Sequence, residues 1–395
     1  MEGLTNQQQR IIGLDIHPEC FSAACLQPKA FNDTDPQVLW VHNRIDMDDL
    51  ESWVKKNTIE TDLFVLEAGC NSFETVARIE SSKRKSVVLE SFRAGTIGKS
   101  YLKSDKVDAV KTGKIYLSGL ATEVWVPDEK TREYREIFAA YKKSVKDTTR
   151  IRNRIWSFCT EHGLKRKSGI SFLDGTGKAW IVSQRKWTAT QLSLVDMSIS
   201  DLIHSHENRK NLKKLMSSIV SENKDMLKLL RLYGINKITA FALIATIGDI
   251  TRFRNPKKLV AYIGLQPKVY NSGKVSYHGG ITGFGKRDVK ALLIECAHCI
   301  LRMGSGGNSL AKWGRSLRLR KSGKVAVVAV ARKLIVATWY LLRGFFTELK
   351  EPDQTLKTKL TKLATEIGKE KRSEYGYKTI MDFIEDKVKI LQAGT

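Results

Sequence analysis

Between Asp128 and His162 the chain holds neither proline nor glycine. A run with no helix-breaking residue predicts one long helix, ended at Gly163. Ile137, Tyr141, Ser144, Thr148, Ile151, Ile155, Phe158 and His162 recur at alternating spacings of four and three, a heptad-like seam with a polar middle. Lys142, Lys143, Lys146, Arg150, Arg152 and Arg154 occupy the remaining surface. Two readings fit: a solvated face, or a helix that pairs with another while its basic flank, including Arg150 and Arg154, meets phosphate.

Ahead of this helix, short apolar runs alternate with helical patterns. "RIIGLDIH" and "CFSAACLQ", broken by "PE", predict a hairpin, and "QVLWVHN" a third strand. "DMDDLESWVKKN" is a helix with acid at its start and lysine at its end, as the macrodipole prefers. "DLFVLEA" is a fourth strand, "NSFETVARIESSK" a helix capped by Asn71 or Ser72, and "KSVVLES" a fifth strand. Three antiparallel strands followed by β-α-β alternation is the order of a mixed-sheet α/β domain of the ribonuclease H type. The expected division is therefore an acidic-motif domain over 1–125, a helical linker over 126–230, a mainly α-helical domain over 231–350, and a charged tail over 351–395. Residues 163–205 are polar and show no clear period. Helical patterning returns from about Asn208 to Leu232, and "KVAVVAVARKLIVATWYLLR" reads as a strongly apolar helix.

The 395 residues are too many for one ordinary core, and 42% hydrophobic with 28% charged residues is a globular balance. Lys and Arg number 67 against 42 Asp and Glu, a net charge of +25. A surplus of that size attracts polyanions, and its functional reading is nucleic acid. No uninterrupted apolar run approaches the roughly 20 residues that span a bilayer, and the N-terminus lacks a signal-peptide pattern, so the expectation is a cytoplasmic protein with no membrane partner. Six irregularly spaced cysteines fit a reducing compartment. "CAHC" lies in an apolar helical run without a second ligand pair, which points to packing rather than zinc. "GGITGFG" lacks the G-K-[ST] ending of a phosphate-binding loop.

Acid is scarce in this chain, so its placement carries weight. Strand one ends on Asp15 and strand four on Glu67, positions that converge on one edge of such a sheet. Asp105 and Asp108, spaced i and i+3, share a helical face. Four carboxylates in one pocket repel each other unless a cation neutralises them. Hard oxygen donors favour Mg²⁺, and two such ions about 4 Å apart suit attack on a phosphodiester. Lys103, Lys106 and Lys111 then become phosphate contacts.

Downstream, "KVYNSGKVSYHGGITGFGKRDVK" reads as a loop that sets Ser272 beside Gly273, among Lys268, Lys274, Lys286 and Arg287. Glycine next to a hydroxyl lets a phosphate approach the backbone, and the cations stabilise charge on it. Taken by itself, Ser272 reads as an ordinary turn serine. "RFRNPKKL" adds Arg252, Arg254, Lys257 and Lys258 as contacts that position a nucleic-acid backbone. Gly234 and the apolar helix after it resemble half of a helix-hairpin-helix.

Together "GLDIH", "LEAG", "KSDKVDA" and "GINKITAFALIATIGDITRFRNPKKLVAYIGLQPKVYNSGK" resemble the DEDD transposases of the insertion-sequence 110 family, relatives of the Piv-type DNA invertases. The resemblance implies an N-terminal domain like that of the resolvase RuvC, a helical coiled-coil region and a C-terminal transposase domain. Carried over by motif, the tetrad falls on Asp15, Glu67, Asp105 and Asp108, and the nucleophilic serine on Ser272. This chain has "SD" where relatives commonly have "TD" before the third acid, and Asn271 where they commonly have a first serine. Ser276 is the weaker competitor. The resemblance further implies serine attack on donor and target DNA with help from Mg²⁺, and guidance by a noncoding bridge RNA. A homo-oligomer, dimer or tetramer, would let acids and serine meet across subunits. Two other classes stay open: a metal-dependent nuclease or junction resolvase that needs only the acids, and a noncatalytic nucleic-acid-binding protein.

Overall fold

The structure is a computed structural model that describes residues 9–28, 36–91, 105–272, 275–303, 308–345, 349 and 353–393; at residues 105, 106, 269–278 and 393 it describes the backbone alone. It consists of two compact units, Met1–Pro127 and Asp128–Thr395.

The first unit is built on a mixed six-stranded sheet. Its elements run β1 (Ile11–Ile16), β2 (Cys20–Gln27), β3 (Gln37–Asp46), α1 (Leu50–Asn57), β4 (Leu63–Glu67), α2 (Ser72–Ser81), β5 (Lys85–Leu89), α3 (Asp105–Leu117) and β6 (Glu123–Val124). The strand order is β3-β2-β1-β4-β5-β6. β1 pairs antiparallel with β2 and β2 with β3, β4 runs parallel to both β1 and β5, and β6 closes the edge antiparallel to β5. The two-residue β6 has no sequence pattern of its own. It exists because the edge of β5 is there to pair with.

Period-two alternation divides the strands between two cores. Ile12 and Leu14 of β1 join Phe64 and Leu66 of β4 against Trp53 and Val54 of α1 and Val76 and Ile79 of α2. Ile11 and the β4 residues Leu63 and Val65 face the other way, against Ala109 and Ile115 of α3. Each fully buried aliphatic side chain stabilises the fold by about 1.5–3 kcal/mol relative to exposure. Gly13 lies where α3 crosses β1. A Cβ there would come within 2.2 Å of the Ala109 carbonyl oxygen and 2.9 Å of the Gly113 amide nitrogen. Only a residue without a side chain lets this helix lie so close to the sheet.

The second unit opens with α4 (Glu129–Glu161), capped by the Asp128 carboxylate, which accepts from the Thr131 amide. A short helix, α5 (Thr176–Ser183), precedes α6 (Ala189–Glu222). α4 and α6 pack antiparallel: His162 meets Gln191 (3.1 Å), Arg154 meets Asp201 (3.4 Å), and Thr148 meets Ser205 (3.0 Å). The polar middle of the seam is satisfied, because Thr148 also donates to the Ser144 carbonyl. Helical patterning was expected to resume near Asn208, but α6 begins about twenty residues earlier. Its start carries a capping box between Thr188 and Gln191.

Around α8 (Lys237–Ile247) lies the main core. α7 (Lys224–Leu230), α9 (Pro256–Ile263), α10 (Arg287–Arg302), α11 (Ser309–Arg320) and α12 (Gly323–Leu342) contribute to it. Every residue of α8 from Thr239 to Ile247 is buried. Its start is occupied from within, since Gly234 takes a left-handed turn and the Asn236 side chain accepts from the Thr239 amide. Between α9 and α10 the antiparallel pair β7 (Pro267–Ser272) and β8 (Val275–Ile281) replaces the expected loop. The alternation in "KVYNS" and "KVSYH", on either side of Gly273 in the sequence, is the pattern of a hairpin.

α12 is, among the described residues, the one helix long and apolar enough to cross a membrane, although Arg332 and Lys333 interrupt it. Here Val330, Leu334, Ile335 and Thr338 are buried in this unit's own core. The charged tail forms α13 (Asp353–Ile367), α14 (Lys369–Glu374) and α15 (Ile380–Ala393). It contributes to that core, with Leu356, Leu360, Leu363 and Phe383 buried. Of the two cysteines in "CAHC", Cys296 turns inward, its thiol 3.7 Å from the Thr239 hydroxyl and raised by burial to about 11, while Cys299 is exposed.

Candidate active site

The pleat of the sheet positions the first two acids. Ile11 and Gly13 face α3, so two residues on, Asp15 faces the same side at the end of β1. Leu63 and Val65 do the same in β4, and Glu67 continues their row. The parallel register pairs Leu14 with Leu66, one step short of bringing the two acids opposite each other. α3 supplies the third. Asp108 immediately precedes Ala109, the residue that rests on Gly13.

Their charges act on one another. Burial carries the Glu67 carboxyl above its ordinary range, the Asp15 charge raises it further, Lys111 opposes the rise, and Asp108 adds to it. Lys111 Nζ stands 3.8 Å from Asp108 Oδ1, which places this lysine inside the acidic cluster. His17, which sequence reasoning did not single out, lies 3.5 Å from Asp15 through Nε2 and Oδ2. Its carbonyl accepts from the Asn71 side chain at 3.0 Å, tying the end of β1 to the start of α2. The signal for it was present in "DIH": a residue two past a strand-end acid returns to the same side.

α3 carries Asp105 one turn before Asp108, and the Asp105 side chain lies outside the described ones. Among the described residues no three His, Cys, Asp or Glu side chains form a group that could hold a metal ion. The chemistry of the donors nevertheless fits a hard divalent cation, because the half-buried Glu67 carboxylate has two aspartates as neighbours and one lysine to offset them.

In the second unit, Ser272 is the last residue of β7 and pairs with Val275 across the turn. Its backbone alone is described, and Gly273 and Lys274 lie outside the described residues, as do Lys103 and, for its side chain, Lys106. The base of the hairpin is held by two glycines. A Cβ on Gly264 would stand 2.1 Å from the Phe284 carbonyl oxygen, and one on Gly285 would stand 2.6 Å from the Gly264 backbone. Beside it is a cavity of about 370 Å³ lined by Arg135, Lys142, Tyr262, Lys286 and Arg287. Burial would raise the Tyr262 phenol, but Lys286, Arg252 and Arg135 outweigh it and bring the group below its ordinary value.

Residues 226–312, which span this hairpin, match the model of the transposase IS116/IS110/IS902 family. The chain carries a transposase domain of that family. Its relatives extend the likeness well beyond the domain. A putative transposase of Sinorhizobium fredii, y4qE, is 25% identical over 308 residues, covering 71% of this chain and 75% of that protein. The transposase for insertion sequence element IS1111A of Coxiella burnetii is 25% identical over 249 residues, 62% of this chain and 68% of the relative. The transposase for element IS1328 of Yersinia enterocolitica is 22% identical over 248 residues, 60% and 72% of the two chains.

Within the transposase domain the basic residues divide into two groups. The Arg252 guanidinium donates to the carbonyls of Ile247 (3.0 Å) and Thr246 (3.4 Å) and lies over the rings of Phe253 and Tyr262 at 4.2 and 4.5 Å. Arg254, Lys257, Lys258, Lys268, Lys286 and Arg287 are exposed. Lys286 also covers the Tyr262 ring at 5.0 Å. Outside the domain, Arg150 pairs with Asp147 at 3.0 Å along its own helix, and Arg154 reaches Asp201. Arg135, not anticipated from sequence, donates to the Ala245 and Thr246 carbonyls at the end of α8.

Proposed function

We propose that this protein is a DNA transposase or recombinase of a bacterial insertion sequence, which cuts and rejoins DNA strands with an acidic site and a serine nucleophile. The observation that carries the reading is the convergence of Asp15, Glu67 and Asp108 on one face of the sheet, with Glu67 raised above its ordinary range by burial first and by the two aspartate charges in addition. The transposase domain around Ser272 supports the second half.

In this reading the first unit is a ribonuclease-H-like, RuvC-like domain, and α4 with α6 forms the coiled-coil region. Asp15, Glu67, Asp105 and Asp108 would hold Mg²⁺, which when bound polarises a phosphate oxygen and offsets charge at phosphorus. Ser272 supplies the attacking oxygen. Its Oγ forms a bond to phosphorus as the bond to the leaving sugar oxygen breaks, and its proton passes to a base. Lys268, Lys274, Lys286 and Arg287 stabilise the charge that develops on the phosphoryl oxygens. The net charge of +25 fits donor and target DNA together with a noncoding bridge RNA, and in this reading a homo-oligomer brings the acids and Ser272 together across subunits.

The test is strand exchange on the element's own ends by wild type, Ser272→Ala and Asp108→Asn, with RNA that copurifies from cells sequenced in parallel. Loss in both variants, with a covalent protein–DNA adduct present only when Ser272 is intact, is the expected result. Undiminished exchange by Ser272→Ala removes the serine from the reaction and leaves the nuclease reading. Absence of an element-encoded RNA removes the guide.

A further inference from the structure

A basic groove in the second unit belongs to neither half of this site. Two adjoining cavities of about 670 and 620 Å³ run between α6 and α13 and on to the first turn of α8, sharing Lys213, Thr365 and Glu366. Arg209, Lys210, Lys213 and Lys214 line it from α6, Lys237 from α8, and Lys359 and Lys362 from α13, against the carboxylates of Glu207 and Glu366. Glu366 is already engaged, accepting from Lys237 and from the Ser217 hydroxyl. Lys359 is also committed, donating to the Leu230 and Leu232 carbonyls. Among the described residues no carboxylate stands within ion-pair distance of Lys210, Lys213 or Lys214.

His206 reports the resulting potential. Arg209 donates to its Nδ1 at 3.1 Å, which requires that nitrogen to be unprotonated. Burial, Arg209, Lys213, Arg152 and Lys210 together hold the imidazole below its ordinary range. The cations lie two to a turn along one helix and continue over a second cavity, so a single small anion would leave most of them unanswered. A row of phosphates would not. B-form DNA presents about one charge per 1.7 Å of axis, which suits an elongated cationic groove.

We propose that the groove between α6 and α13 is a second nucleic-acid site, which grips the phosphodiester backbone of a DNA duplex away from the bonds that are cut. The choice of DNA rests on the transposase reading, whereas the groove's affinity for a phosphate row rests on its own charges.

The experiment measures binding of the full chain to a random-sequence DNA duplex against salt, for wild type, the Lys210→Gln/Lys213→Gln/Lys214→Gln variant and the same three positions changed to Arg. The Gln variant should lose about 0.9 of log-log slope per contact removed, about 2–3 in all, and the Arg variant should keep the wild-type slope. If the triple Gln variant does not fold, the exposed Lys210→Gln and Lys214→Gln singles should each lose about 0.9. An unchanged slope in folded variants overturns the site. A loss seen with an RNA duplex and not with DNA overturns its assignment to DNA. Strand cleavage by the wild-type chain separates the two readings: a wild type that cuts no strand under any condition, while the Gln variant still shows the slope loss, keeps the groove and loses the transposase.

Discussion

Gly13 and Ala109 meet so closely that the smallest side chain on the glycine would enter the alanine's carbonyl oxygen, at 2.2 Å. The same contact brings α3, and with it Asp108, onto the face where β1 and β4 end in Asp15 and Glu67. Gly13→Ala should therefore displace α3 and destabilise the first unit by about 1–3 kcal/mol, the usual cost of overpacking, as read from urea unfolding. Gly69→Ala is the control. A Cβ there meets nothing within 4 Å, and its unfolding midpoint should stay near wild type.

Glu67→Gln should separate function from stability. The carboxylate is half-buried and flanked by two aspartates, so a neutral amide of the same shape relieves repulsion and should raise the urea midpoint. Strand cleavage should fall by about 100-fold or more, as when a group acting on transition-state charge is removed. A lower midpoint would mark Glu67 as a structural acid instead.

Two neighbouring basic residues should behave oppositely. Arg252→Gln removes the guanidinium from the Ile247 carbonyl and one of three donors from the Thr246 carbonyl, which keeps Arg135 and Tyr262, and uncovers two rings, at an expected cost of about 1–3 kcal/mol in unfolding free energy. Lys257→Gln, at an exposed position, should leave stability unchanged and lower the salt slope of DNA binding by about 0.9. Equal effects on stability would contradict the division between them.

A pH-dependent term should come from Glu51 and Arg78, joined by two hydrogen bonds of 2.5 and 2.6 Å. Arg78 lowers the Glu51 carboxyl from 4.5 to about 2. A depressed folded-state value means the pair stabilises the first unit above about pH 4.5, and that the contribution is lost as pH falls towards 2. Solvent screens the pair, so the term should be under about 1 kcal/mol. Denaturant unfolding of Glu51→Gln at pH 7 and at pH 2 should show a deficit only at the higher pH.

Much of the architecture was legible locally. Strands β1 to β5 follow from short apolar runs between turn residues, and α4 from a stretch with no helix breaker and Asp128 as its cap. The start of α6 was legible in principle, in the Thr188–Gln191 box, but the polar segment before it has no apolar period to frame that signal. The hairpin of β7 and β8 read as a loop because its glycines and lysines outweigh a weak alternation. The charge of the tail over 351–395 hides the stripe of Leu356, Leu360 and Leu363, so its packing was not legible locally.

For the site, the sequence by itself determined which acids end β1 and β4 and that Asp105 and Asp108 share a helical face, because strand and helix periods are local. Only the tertiary structure decided that Asp108 meets the strand-end pair, that Lys111 belongs with the acids, and that Arg252 holds a helix end. Those outcomes depend on how closely α3 can lie on β1, and on which carbonyls a guanidinium finds within reach. Both distances are set by packing between segments far apart in the chain.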